Sequence, residues 1–159
     1  MEAEVRTGIL EVRAVERVTP RMVRITLGGD CLKGLPDVSG ATVALYWPAA
    51  GTDEIVLPTD VLDTGPPEQH RRGYTIRSCD LEAETVDIDF VVHGDHGRAS
   101  LWADNVVPGA KIGFSGPAPS YESPSSDWTL LAADETGLPA IVSGSPMGTL
   151  VASTNSTGP

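Results

Sequence analysis

Short apolar–polar alternations, each cut off by glycine or proline, run along most of this chain. Gly8 to Val18 mixes β-branched residues with Glu and Arg and predicts a first strand, ended at Thr19-Pro20. Met22 to Leu27 alternates cleanly and predicts a second, broken by Gly28-Gly29-Asp30. Residues 31–40 read as a loop with room for one short helical turn. Ala41 to Trp47 predicts a third strand, stopped by Pro48. Residues 52–70 are polar and proline-containing apart from Glu54-Ile55-Val56-Leu57, and read as a long excursion.

The clearest hairpin follows. Arg72 to Cys79 is one strand, Asp80 to Glu84 the turn, and Thr85 to His93 the return. A period of two puts Val86, Ile88, Phe90 and Val92 on one face of the return strand and Asp87, Asp89, Val91 and His93 on the other. That pattern suits a barrel wall beside a ligand, and equally any half-solvated sheet. A glycine turn at Gly94 to Gly97 leads into a short helix at Arg98 to Asn105. Lys111 to Ser115 and Trp128 to Ala133 predict further strands. Thr136 to Val142 predicts a helix start, with Asp134 or Thr136 as its cap. From Ser143 the chain is Gly, Ser, Thr and Pro, and a largely disordered tail is expected over residues 143–159. Six or seven short strands with little helix predict a mainly β fold, a small closed barrel or a sandwich.

Composition narrows this picture. The 159 residues include 17 Gly and 13 Pro, in keeping with many short elements joined by turns. A net charge of −11 argues against nucleic acid and anionic membranes as partners. No apolar run reaches the ~20 residues of a membrane span, and the charged start does not read as a signal peptide, so a cytoplasmic location is expected. Cys31 and Cys79 form no CxxC and are expected as free thiols.

Against that acidity, Arg71, Arg72 and Arg77 stand close together. Guanidinium groups gathered in an acidic chain suit a bound phosphate, or else pair with surface carboxylates. The loop from His93 through Gly97 to Ala99 and Ser100 runs from a strand into a helix N-terminus, an arrangement that suits a pyrophosphate, though an unliganded connector reads the same way. In an antiparallel hairpin, Arg72 at one strand's start and His93 at the other's end are neighbours, so the two anion-friendly features converge. Tyr74 and Thr75 stand nearby, and an aromatic hydroxyl can border a flat ring. Asp87 and Asp89 read as carboxylates that solvate their face. His93 and His96 lack the further ligands of a zinc site, and no GxSxG elbow is present.

Arg72-Gly73-Tyr74-Thr75-Ile76-Arg77 resembles the RxYTxR motif of the FAD-binding domain of siderophore-interacting proteins, within the ferredoxin-reductase-type flavoprotein superfamily. Val86 to Gly94, with Gly97, Ala99, Ser100 and Trp102, resembles that family's second motif. Pro108-Gly109 to Tyr121 resembles the next stretch, and Asp127-Trp128 with Ala133 to Ile141 resembles its DET loop. Gly73 and Arg98 depart from the pattern, where a larger residue and a proline are common. The resemblance implies a six-stranded Greek-key antiparallel barrel over residues 5–122 carrying FAD. It further implies a truncated NAD(P)-binding α/β domain beginning at 127–142. Arg72 would meet the phosphates, Tyr74 and Thr75 the isoalloxazine, and Arg77 would stand near the flavin. His93, Gly97, Ala99 and Ser100 would form the diphosphate and ring-edge side, and Asp134 and Thr136 would close over the cofactor. The implied activity moves electrons from NADPH or NADH through flavin to Fe(III) in a siderophore. With most of the nicotinamide domain missing, impaired turnover is expected. A flavin-binding module without such turnover, or a non-functional remnant, remains the alternative.

Overall fold

The computed structural model describes residues 5–49, 51–58, 69–92, 97–118 and 131–144. Its strands are β1 (Arg6–Thr19), β2 (Met22–Gly28), β3 (Thr42–Trp47), β4 (His70–Asp80), β5 (Thr85–Val91) and β6 (Lys111–Ala118). Two helices, α1 (Arg98–Asn105) and α2 (Leu138–Gly144), and a 3-10 turn at Asp30–Leu32 complete the described elements. The strands close into an antiparallel barrel in the order β1-β2-β5-β4-β3-β6. The first six expected strands and the short helix therefore form within a few residues of their expected bounds, whereas residues 131–133 of the seventh form no strand beyond an isolated bridge at Ala133. His70 belongs to β4 rather than to the preceding excursion. Of the strand expected at Trp128 to Ala133, residues 128–130 lie outside the described set, as does the tail beyond residue 144.

Closure follows from the alternation. Val23, Ile25 and Leu27 of β2, Val43, Leu45 and Trp47 of β3, and Val86, Ile88 and Phe90 of β5 all enter one buried cluster with Leu10, Ile76, Ile112 and Phe114. Because the side-chain period is two, one register places every one of them inside. Several core side chains are completely sequestered, among them Leu10, Ile25, Leu45, Ile76 and Phe114, each 0% exposed.

A change of partner along β4 opens the barrel wall. The first half of β4, from His70 to Thr75, pairs with β3. Its second half, from Ile76 to Asp80, pairs with Ile88 back to Thr85 of β5. The exchange occurs at a bulge at Arg77, between Ile76 and Ser78. On its other side β5 pairs with β2 along its whole length, so from Asp89 to Val91 it is held by β2 and not by β4. Between the first half of β4 and the last residues of β5 the two strands therefore part. Bulges tend to sit where a barrel re-aims side chains or ends a pairing, and here both occur.

Outside the barrel, Gln69 holds the 54–57 segment in place. Its side-chain amide accepts from Val56 N–H at 3.0 Å and donates to Val56 C=O at 2.7 Å. Ile55 and Leu57 lie over Gly113, where a Cβ would stand only 2.7 Å from Ile55 Cγ2. The C-terminal segment docks from the other side. The Ser143 hydroxyl donates to the Arg77 carbonyl at 2.9 Å, and Arg21 pairs with Glu135 at 3.5 Å.

Candidate functional site

The splay between β4 and β5 opens a cavity of about 520 Å³. Arg72, Gly73, Tyr74 and Thr75 of β4 form one wall, with Thr42 and His70 beside them. Asp89 and Val91 of β5 form the facing wall. Gly97, Arg98, Ala99 and Ser100, at the start of α1, close one end, and Thr136 and Pro139 lean in from the C-terminal segment.

Of the residues named from the sequence, Arg72, Tyr74, Thr75, Gly97, Ala99, Ser100 and Thr136 thus share one hollow. Arg77 does not line it. It sits at the bulge, with its carbonyl engaged by Ser143. Asp134 also stands off the wall and acts through Thr136. Its Oδ1 accepts from the Thr136 amide at 3.0 Å and from the Thr136 hydroxyl at 2.6 Å, which fixes that side chain. His93 lies outside the described residues. Arg72 and the α1 start do meet, but across a gap rather than as paired strand ends, because the pairing partner changes at the bulge.

His70, Asp89 and Arg98 are wall residues that the sequence did not assign to the site. Arg98 heads α1, so the strand-to-helix loop carried a signal for it. Asp89 was legible only as one of two acids on a polar face. It is not a solvated carboxylate: it is 8% exposed, and Arg24 of β2 grips it side-on, Nε to Oδ1 at 2.7 Å and Nη2 to Oδ2 at 3.0 Å. Asp87 is likewise engaged, accepting the hydroxyls of Thr26 at 2.7 Å and Ser78 at 2.9 Å.

Beneath the cavity lies an aromatic floor. Tyr74 packs on Phe90 with ring centroids 4.4 Å apart, and Phe90 on Trp102 at 5.6 Å. Trp47 joins Trp102 edge-on at 5.6 Å and His70 at 5.2 Å. Burial pushes the Tyr74 phenol up to about 12, against a weaker opposing pull from Arg72, so it remains a neutral hydroxyl at physiological pH. His70 is held below its ordinary value, first by burial and then by the positive charges of Arg72 and Arg98.

The donor set fits a dinucleotide. Arg72 and Arg98 supply positive charge to one hollow of an acidic chain. The N-cap of α1 is Gly97, which brings no side chain of its own, and the helix N-terminus carries partial positive charge toward the same place. Gly97 adopts a φ of 104° with nothing within 4 Å of where a Cβ would stand, so its backbone is open to a ligand. The Nε2 of His70, buried and without a partner among the described residues, lacks a hydrogen bond that a ligand or water would supply.

A closed antiparallel barrel thus carries, against its wall, a hollow that gathers Arg72, Arg98 and His70 beside packed aromatic rings. Comparison with known proteins gives the family. Residues 11–121 match the family model of the siderophore-interacting FAD-binding domain. The chain is 32% identical to the ferric vibriobactin reductase ViuB of Vibrio cholerae, over 80% of this chain and 54% of that protein. It is 34% identical to an NADPH-dependent ferric-chelate reductase of Escherichia coli, over 83% of this chain and 53% of that one. Among solved structures, a siderophore utilization protein from T. fusca superposes with a TM-score of 0.75 at 40% identity, covering 87% of this chain and 56% of its own. The chain belongs to the siderophore-interacting FAD-binding domain family. It spans about half the length of the curated relatives it matches.

Proposed function

We propose that this chain holds FAD in the cavity between β4, β5 and α1, and that it serves the reduction of Fe(III) in a siderophore. The observation that carries the reading is the convergence of Arg72, Tyr74, Thr75, Gly97, Ala99, Ser100 and Thr136 on one hollow of about 520 Å³. When bound, the flavin supplies the electron transfer to Fe(III), and the iron so reduced is held less tightly by hard oxygen donors.

The chain's own residues bind, orient and exclude water. Arg72 and Arg98, with the first turn of α1, hold the pyrophosphate. Tyr74 and Thr75 border the ring. The Tyr74 hydroxyl remains protonated and can donate a hydrogen bond, because its surroundings hold it neutral. Phe90, Trp47 and Trp102 keep the floor dry, which strengthens each polar contact above it. Asp134 fixes Thr136 over the opening. Residues 5–122 would be the flavin domain and residues 127–142 the beginning of an NAD(P)-binding domain. The electron donor, NADPH or NADH, would be bound by that second domain.

The test starts with the purified chain. Titration with FAD should quench flavin fluorescence at one-to-one stoichiometry. Flavin reduced on the protein with dithionite, under argon, should be reoxidised on adding a ferric siderophore. Absence of saturable FAD binding sinks the flavin reading. FAD binding without reoxidation removes the ferric-siderophore part and leaves a flavin-binding module.

A further inference from the structure

Asp89 is the single carboxylate on the cavity wall among the described residues, and it faces a hollow that otherwise carries Arg72, Arg98 and His70. A bare carboxylate there would repel a pyrophosphate. Arg24 prevents that from behind, with two bonds of 2.7 and 3.0 Å from the adjacent strand. The pair is largely sequestered: the Asp89 side chain is 5% exposed and that of Arg24 27%. Burying an acid and an arginine together is no reliable gain in stability, since desolvation offsets much of the attraction. A core-like apolar pair would close the β2–β5 wall as well. What the pair adds is a fixed acceptor. Each Asp89 oxygen uses one lone pair on Arg24 and keeps another, and a carboxylate has about four acceptor sites in all.

We propose that Asp89, oriented by Arg24, is a cofactor-contacting residue that accepts a hydrogen bond from the ring–ribityl half of FAD. This rests on the flavin reading above. The charge division of the cavity supports it. His70, Arg72 and Arg98 stand close enough for both guanidinium charges to act on the imidazole, and the phosphates would lie among them. The acceptor stands across from Tyr74 and Thr75, where a ring N–H or a ribityl hydroxyl would need one. Arg24 is then a positioning residue: it neutralises the carboxylate's field and sets its plane without reaching the cavity wall itself.

The test uses the full chain and FAD. Asp89→Asn keeps the shape and removes the charged acceptor. It should weaken FAD binding about tenfold or more, as expected for one hydrogen bond to a charged group. It should also shift the visible absorbance bands of the bound flavin, which a purely structural residue would not move. Arg24→Gln leaves the carboxylate uncompensated and free to turn in a hollow that takes an anionic ligand, and should weaken FAD as well. The control is Asp87→Asn, on the same face of β5 but off the cavity wall. It loses its bonds to Thr26 and Ser78, so it should lower thermal stability while leaving FAD affinity and spectrum unchanged. If Asp89→Asn binds FAD as well as or better than the parent, with an unshifted spectrum, the inference is wrong and the pair only closes the wall. If Asp87→Asn weakens FAD equally, the effect is one of stability and the inference also fails. Should the parent chain itself fail to take up FAD, it is the flavin reading that falls, so the two failures are separable.

Discussion

Arg71 and Arg72 are neighbours in sequence and both are exposed, yet their substitution should have opposite consequences. Arg71 faces the outer wall opposite Tyr46. Its Nε donates to the Tyr46 hydroxyl at 3.2 Å, and its guanidinium carbon lies 5.8 Å from the centre of that ring. Arg72 lines the cavity. Among the described residues its guanidinium reaches only the Arg71 carbonyl, at a long 3.4 Å. The fold therefore has little invested in Arg72, and Arg72→Gln should change stability by no more than about 0.5 kcal/mol, as for an ordinary surface position. If Arg72 holds a phosphate, the same substitution removes a charge-assisted hydrogen bond worth roughly 1.5–3 kcal/mol, or roughly 10- to 150-fold in the Kd for FAD. Arg71→Gln loses a cation–π contact and a hydrogen bond, roughly 1–2 kcal/mol of stability, and should leave FAD affinity alone.

The assay is flavin fluorescence quenching for affinity and thermal melting for stability, on both variants. Ionic strength adds a second axis. The parent's FAD affinity should fall as salt rises, and Arg72→Gln should show a flatter dependence because one screened contact is gone. Three results would refute the reasoning: Arg71→Gln and Arg72→Gln weakening FAD alike, Arg72→Gln melting lower while binding normally, or an unchanged salt dependence. Each would mean that the β4 arginines serve the barrel or general solubility rather than a phosphate.

His70 and Gly73 flank Arg72 on β4 and line the same hollow. His70 should titrate below its ordinary value in an NMR pH series; Arg72→Gln should move the midpoint upward, and bound FAD should move it up further by placing anionic charge nearby. The sign for stability follows: its contribution is present above pH ~6.5, the unfolded value, and is lost as pH falls through the lowered folded value. A His70 midpoint indifferent to both changes would place the imidazole outside the field of the site. Gly73 has extended-side backbone freedom and meets only Thr42 Cγ2, at 4.0 Å, where a Cβ would stand. Gly73→Ala should therefore raise stability by about 0.5–1 kcal/mol, read as a higher melting temperature, with FAD still bound. A lower melting temperature would show that the strand needs glycine there.

The barrel was legible because its signal is local and repeated. Val86, Ile88 and Phe90 announce an inward face by period alone, and glycine or proline punctuates nearly every strand. The cluster of Arg72, Tyr74 and Thr75 was legible for the same reason: the motif is contiguous, and its strand carries those residues to the cavity together. The exchange of β4 from β3 to β5 at Arg77 was not. A bulge is one extra residue whose place depends on the register of both neighbours, and Arg77 looked equivalent to Arg72 until that register was known.

Asp89 shows the limit most sharply. Along the chain it repeats Asp87, and strand periodicity assigns both to one polar face. What separates them is lateral. β2 lies against β5, so Arg24 falls opposite Asp89 and Thr26 opposite Asp87, in each case more than sixty residues away in sequence (65 and 61). A hydroxyl leaves its acid anchored but still charged. A guanidinium cancels the charge and fixes the plane. Only the second makes a carboxylate tolerable beside a site for an anion, and β4 parts from β5 just where Asp89 stands. The difference between an acid anchored by hydroxyls and a ligand contact was thus written in strand order, which no reading of neighbouring residues supplies.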